Sequence, residues 1–178
     1  MRRSGVLLPV TSLPSRFGIG TFSKEAYAFV DFLSEAGQKL WQILPLGPTG
    51  YGDSPYQAFS TFAGNPYLID LEELIENGWL TEEECENTDW GGSKSYVDYE
   101  KMYQGRFPLL RKAYHNSHIA ENAEFIAFCE ENDWWLSDYA LFMAIKDSQG
   151  GASFLEWDAP LKLREPEAIR RCRHELSD

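Results

Sequence analysis

Two short apolar segments near the amino terminus constrain the fold most strongly. Val6–Val10 and Leu40–Leu46 are apolar without alternation and lead into loops rich in Pro and Gly, which is typical of strands buried on both faces. Between them, Ser23 is placed to cap a helix whose apolar residues keep helical spacing until Gly37. Strand, helix and strand in this order predict a βαβ unit with two parallel strands.

The loop after the second segment, residues 47–57, carries the strongest functional pattern. Its sequence is Gly-Pro-Thr-Gly-Tyr-Gly-Asp-Ser-Pro-Tyr-Gln, and so many glycines and prolines exclude a helix or a central strand. Ligands of α/β folds bind beyond the carboxyl ends of parallel strands, where this loop begins. We therefore expect a ligand site in the loop.

The side chains of this loop favour a sugar as the ligand. Tyr51 and Tyr56 offer flat rings on which the C–H groups of a sugar can pack. Asp53, Ser54 and Gln57 can pair with its hydroxyls. The sequence leaves an alternative open, a surface turn in which Asp53 and Ser54 bond only their own backbone.

Helical patterns dominate from residue 61 onward. Asp70 is expected to cap a short helix over Leu71–Asn77, and Thr81 with Glu84 forms the pattern of a capping box. Longer helices are predicted over Tyr99–Asn116 with an interruption near Pro108, Ile119–Asn132, Asp133–Asp147, and from Pro166 to the last residue. The chain is thus expected to divide into residues 1–60, a βαβ unit with its loop, and residues 61–178, a mostly helical subdomain.

The last predicted helix has no Gly or Pro to end it after Pro166. A single βαβ unit also supplies only two parallel strands, fewer than an α/β core normally contains. Both features lead us to expect that the sequence is part of a longer protein.

Charge and cysteine content narrow the classes of partner and the cellular location. The formal net charge is -12, with a net of +1 over residues 1–60 and -13 over residues 61–178, which argues against nucleic acid and anionic membrane as partners. Three widely spaced cysteines fit neither a disulfide framework nor a metal pair, and no segment has the length of a membrane helix. We expect a cytoplasmic protein without a bound metal.

Several segments together resemble one known enzyme family. They are Gly5–Pro14, Gly18–Gly20, Trp41–Gln57, Gly64–Asp70, Val97–Tyr99 and Trp134–Phe142. These segments resemble the amino-terminal region of 4-alpha-glucanotransferases, also called amylomaltases or disproportionating enzymes, and they extend over essentially the whole chain.

The resemblance implies a fold and a reaction. The fold is a (β/α)8 TIM barrel, of which this chain holds the first two strands and a helix, followed by a mostly helical insertion subdomain. The reaction is transfer of α-1,4-glucan segments between maltooligosaccharides by a retaining double displacement, without metal or organic cofactor. The family's catalytic carboxylates lie on later barrel strands, so we expect this chain to contain no catalytic residue and to be inactive alone.

The resemblance also implies roles for individual residues. Tyr56 matches the tyrosine that stacks on the glucose next to the cleaved bond, with Asp53, Ser54 and Gln57 in the same loop. Tyr51 and Tyr103 match tyrosines of a second glucan-binding site. Two rival functions stay open, an α-amylase-like hydrolase and a non-catalytic glucan-binding module.

The incomplete barrel also bears on assembly. Because its two strands lack neighbours, we expect the chain to self-associate through their open edges.

Overall fold

A parallel two-stranded sheet with one connecting helix forms the start of the chain. The computed structural model describes residues 2–50, 52–93 and 95–177. In it, β1 (Gly5–Leu7) and β2 (Leu40–Gln42) pair in parallel with Val6 opposite Trp41, and α1 (Lys24–Glu35) connects them. The predicted βαβ unit is confirmed.

The strands are shorter and more exposed than the apolar pattern predicts. After Pro9 the first segment forms a 3₁₀ helix at Val10–Ser12, so its pairing with β2 ends at Leu7. One further hydrogen bond runs from the Leu8 N–H to the Gln42 carbonyl oxygen. All of β1 is exposed, and of β2 only Trp41 is partly covered. The expectation of burial on both faces is wrong for the described residues, because only α1 and the adjoining loops pack against the strands.

Helix α1 and the sheet share a small apolar core. Val10 and Ala26 are buried in it, and Phe29 meets Trp41 edge to face with ring centroids 5.0 Å apart. The Trp41 indole N–H also donates to the Leu8 carbonyl oxygen at 2.8 Å. These contacts fix the carboxyl ends of both strands, from which the site loops leave.

Three helices follow in the same compact unit, namely α2 (Leu71–Glu76), α3 (Glu82–Glu86) and α4 (Tyr99–Ser117). The Asp70 cap on α2 and the capping box that begins α3 are both present. Helix α4 continues through Pro108, so the predicted interruption is wrong. Burial of Leu109 and Ala113 in the core holds the turn that follows the proline.

The first compact unit covers residues 1–119, and the second covers residues 120–178. The expected division at residue 60 therefore falls inside the first unit. Phe17 explains the difference, because it packs in one core with Leu71 and Leu109 of the helical part. The Thr21 hydroxyl also donates to the Asp70 carboxylate at 3.3 Å.

The second unit contains α5 (Ala123–Ser148), a 3₁₀ helix at Phe154–Glu156, α6 (Ala159–Lys162) and α7 (Pro166–Glu175). One helix, α5, replaces the two predicted over 119–132 and 133–147, because no Gly or Pro stands at the expected break. Helix α7 ends at Glu175, before the end of the chain to which it was predicted to run. None of the helices in the described ranges is long and apolar enough to cross a membrane.

Candidate functional site

The loop 47–57 lies on the carboxyl side of β2, as the sequence predicts, and four residues separate it from the end of that strand at Gln42. Its two flanks are tied together by an antiparallel bridge between Thr49 and Ala58. Further along, the Asn65 N–H donates to the Leu46 carbonyl oxygen at 2.8 Å. Backbone hydrogen bonds therefore close the loop and hold it beside the sheet.

One concave region beside the loop, here called the Asp53 cavity, has a volume of about 250 Å³. It lies beyond the ends of both strands, between the 3₁₀ helix that follows β1, the loop that follows β2, and the start of α4. Its polar lining residues are Thr11, Ser12, Thr49, Asp53, Asn65 and Tyr99. Hydroxyl, amide and carboxylate groups thus converge in a pocket whose other lining residues are prolines, leucines and Val10.

Asp53 has an unusual backbone and a constrained side chain. Its φ of 52° lies in the left-handed region, which aspartate reaches more easily than most residues because its short side chain can bond locally. Its N–H donates to the Gly50 carbonyl oxygen at 3.1 Å, and its carboxylate accepts from the Thr49 hydroxyl at 3.3 Å. Burial raises the pKa of Asp53, and the bond from Thr49 opposes that shift.

Two phenols lie within electrostatic reach of the Asp53 carboxylate. Burial raises the pKa of Tyr67 to about 12, and the negative charge of Asp53 adds to the shift. The pKa of Tyr99 is raised by the same two causes, while a side-chain hydrogen bond with Thr11 lowers it. The carboxylate therefore faces groups from three separate segments of the chain.

A second concave region, the Tyr56 groove, is more open and has a volume of about 500 Å³. Tyr56 is 74% exposed and lines this groove. The other walls are Gly47, Ala58, Ser60, Thr61, Phe62, Ala63 and Gly64. Pro45, Leu46 and Pro55 line both the groove and the Asp53 cavity, so the two regions are neighbours.

The structure separates the residues that the sequence grouped into one site. Asp53 lines the cavity and Tyr56 lines the groove, whereas Ser54 and Gln57 line neither. The Gln57 N–H donates to the Ser54 carbonyl oxygen at 3.0 Å, which forms the turn between the two regions. The loop therefore separates the two regions, with Asp53 on the side of the cavity and Tyr56 on the side of the groove.

The two tyrosines of the predicted second site have different outcomes. Tyr51 lies outside the described residues. Tyr103 lies on α4 with its side chain exposed, and its ring meets Phe107 edge to face at 5.3 Å. Tyr103 lines neither the Asp53 cavity nor the Tyr56 groove.

Sequence reasoning missed Thr49, Asn65 and Tyr99 as members of the cavity. Thr49 lies inside the loop, and Asn65 belongs to a Gly-Asn-Pro-Tyr segment that the family resemblance includes, so both could have been considered. Tyr99 also belongs to a segment of the resemblance, but it is 46 residues beyond Asp53, and only the packing of α4 shows that the two residues line one cavity. No group of three His, Cys, Asp or Glu side chains suited to a metal ion occurs among the described residues.

Comparison with known proteins identifies the family. The family model described as 4-alpha-glucanotransferase matches residues 8–178 of the chain. The chain belongs to the 4-alpha-glucanotransferase family. Its relatives include the 4-alpha-glucanotransferase of Thermus thermophilus, 47% identical over 99% of this chain, and the chloroplastic or amyloplastic enzyme of Arabidopsis thaliana, 37% identical over 94%.

A solved structure agrees with the family assignment. The amylomaltase from Streptococcus agalactiae in complex with acarbose matches 99% of this chain with a TM-score of 0.92 and 46% identity. The chain covers 36% of that structure and 35% of the Thermus thermophilus relative. It therefore spans about a third of the length of the family members that it matches.

Proposed function

We propose that this chain acts as part of a 4-alpha-glucanotransferase that transfers α-1,4-glucan segments between maltooligosaccharides. The observation that carries the proposal is a fold match with a TM-score of 0.92, over nearly the whole chain, to an amylomaltase in complex with acarbose. In the whole enzyme to which this chain would belong, β1 and β2 would be the first two strands of a (β/α)8 barrel. We also propose that this enzyme is cytoplasmic.

The proposed reaction is a retaining double displacement. One carboxylate attacks the anomeric carbon of the donor while a second carboxylic acid protonates the departing glycosidic oxygen. A covalent glycosyl-enzyme results. The 4-hydroxyl of another glucan then attacks its anomeric carbon in place of water and displaces the carboxylate, while the second residue, now a base, removes the proton of that hydroxyl. We assign both carboxylates to parts of the enzyme outside this chain.

The residues of this chain would bind and orient the donor glucan. Tyr56 offers an exposed ring as a stacking platform beside the carboxyl end of β2. Asp53 lies on the other side of the loop from Tyr56 and would accept a hydrogen bond from a sugar hydroxyl in the adjoining cavity. Ser54 and Gln57, at the turn, would form hydrogen bonds with the hydroxyls of the same glucan. Tyr51 and Tyr103 would form the second glucan-binding site.

Substitution of Tyr56 in the whole enzyme tests this assignment. Tyr56→Phe keeps the flat ring and removes one hydroxyl, whose hydrogen bond contributes about 0.5–1.5 kcal/mol net, so we expect a mild loss of kcat/KM on maltotriose. Tyr56→Ala removes the platform and should cause a severe loss, in kcat as well as in KM if the platform holds the reactive ring shape. Tyr51→Ala should leave turnover of this short substrate nearly intact.

The same assay separates the rival functions. Maltotriose incubated with the whole enzyme should yield glucose together with longer maltodextrins. Glucose and maltose without longer products would indicate a hydrolase, and binding without any turnover would indicate a glucan-binding module. Equal losses for Tyr51→Ala and Tyr56→Ala would contradict the division of roles between the two tyrosines.

A further inference from the structure

Phe62 is a large apolar side chain in the wall of the Tyr56 groove, and 57% of it is exposed. The groove thus presents two accessible aromatic side chains, six residues apart in the sequence, together with the small or polar residues Ser60, Thr61 and Gly64. Aromatic side chains beside small polar residues in one concave surface are the features that a sugar-binding surface needs.

The segment that carries Phe62 is held in place at both ends. At its start, Ala58 pairs with Thr49. At its end, Asn65 bonds to Leu46. Gly47 also allows a close approach, because a Cβ there would lie 2.9 Å from the Ala58 Cβ. The segment 58–65 is therefore anchored to the chain that leaves β2.

The turn around Phe62 itself is also fixed. The Ser60 hydroxyl oxygen accepts from the Phe62 N–H at 3.3 Å and from the Ala63 N–H at 3.0 Å. Such a serine turn fixes the backbone from which the aromatic ring projects. A backbone held in advance loses little conformational freedom when a ligand packs on the ring that it carries, and this favours binding.

We infer that Phe62 is a second stacking platform in the Tyr56 groove, so that the groove binds at least two glucose units of one α-1,4-glucan. The inference rests on the proposed function, since it assumes that the ligand of the groove is a glucan. It adds a specificity role: ligands of two or more units contact both rings, whereas a single glucose can contact only one.

The test uses the whole enzyme and measures binding of glucose and maltotetraose by titration. Phe62→Leu keeps an apolar side chain but removes the flat face, and Phe62→Tyr keeps the face. We expect Phe62→Leu to weaken maltotetraose binding by roughly 5- to 10-fold and glucose binding by less than about 2-fold. Phe62→Tyr should bind both ligands as the unchanged enzyme does.

Phe32→Leu is the matched control, since Phe32 is 60% exposed on α1 and lines neither concave region. It should leave both affinities unchanged. Equal weakening of glucose and maltotetraose by Phe62→Leu, or no weakening at all, would overturn the inference. If Phe62→Leu lowers the melting temperature strongly, Phe62→Met, which also lacks a flat face but fills more of the ring's volume, takes its place in the same two titrations with the same expected and contrary results.

The unchanged enzyme separates this inference from the proposed function. If it binds maltotetraose and transfers glucan segments while Phe62→Leu keeps the normal length preference, only the inference fails. If it neither binds nor transfers maltooligosaccharides, the proposed function fails and the inference falls with it.

Discussion

Arg106 is a fully buried cation on α4 whose hydrogen bonding is incomplete. Its Nη2 donates to the Ile69 carbonyl oxygen, but Nε and Nη1 have no hydrogen-bond partner among the described residues. Burial lowers the pKa of Arg106 to about 10 from 12.5, against the favourable charge of Asp70. The group remains charged at pH 7, so the folded state contains a poorly compensated charge.

The pKa shift gives the size of this penalty. A difference of about 2.5 pKa units corresponds to about 3 kcal/mol of stability lost by burying the charged form. Arg106→Met keeps much of the volume and removes the charge, but it also leaves the Ile69 carbonyl oxygen without its donor, which costs about 1–3 kcal/mol. We therefore expect Arg106→Met to be between about 0 and 2 kcal/mol more stable than the unchanged protein.

Hydrogen exchange of the α4 backbone amides in the whole enzyme measures this stability locally. Arg106→Ala is the informative companion, because it removes the charge and also leaves a cavity, and large-to-small core substitutions cost about 2–5 kcal/mol. It should be clearly less stable than Arg106→Met. A loss of more than about 1 kcal/mol in Arg106→Met would show that the guanidinium is better compensated than its contacts indicate, and would refute the reasoning.

Three further predictions concern stability and assembly. A hydrogen bond from Lys112, with others from Thr81, lowers the pKa of Glu84 to about 2, so the stabilisation by its charged form is present above about pH 4.5 and is lost as the pH falls toward 2. Glu84→Gln should therefore be less stable to unfolding than the unchanged protein at pH 6 and about equally stable near pH 2, whereas the control Glu83→Gln should not show this pH dependence. Gly20→Ala would place a Cβ 2.2 Å from a backbone carbonyl oxygen and should cost about 1–3 kcal/mol in urea unfolding, whereas Gly92→Ala, with no atom within 4 Å, should change stability little. The 178-residue chain alone should show no transfer activity on maltotriose and should self-associate in sedimentation, because its strands leave apolar side chains exposed; a sharp, cooperative melt of a monodisperse monomer would contradict this.

The sequence alone determined the features that depend on neighbouring residues. The βαβ unit, the Asp70 cap and the capping box of Thr81 and Glu84 were all predicted where they occur. The two caps depend on backbone groups only a few residues from the side chain that satisfies them, and each element of the βαβ unit has its own local hydrophobic pattern, so the local pattern is sufficient. The loop at 47–57 was placed correctly for the same reason, because its prolines and glycines exclude a continuing strand.

Only the tertiary structure decided which loop side chains share a pocket. Asp53 and Tyr56 are three residues apart, yet the turn between them directs one into the cavity and the other into the groove. Tyr99 joins Asp53 because α4 packs against the loops, a contact between residues far apart in the chain that no local pattern encodes. Likewise α4 continues through Pro108 because burial of the following turn outweighs one missing hydrogen bond, and that balance depends on the core around it.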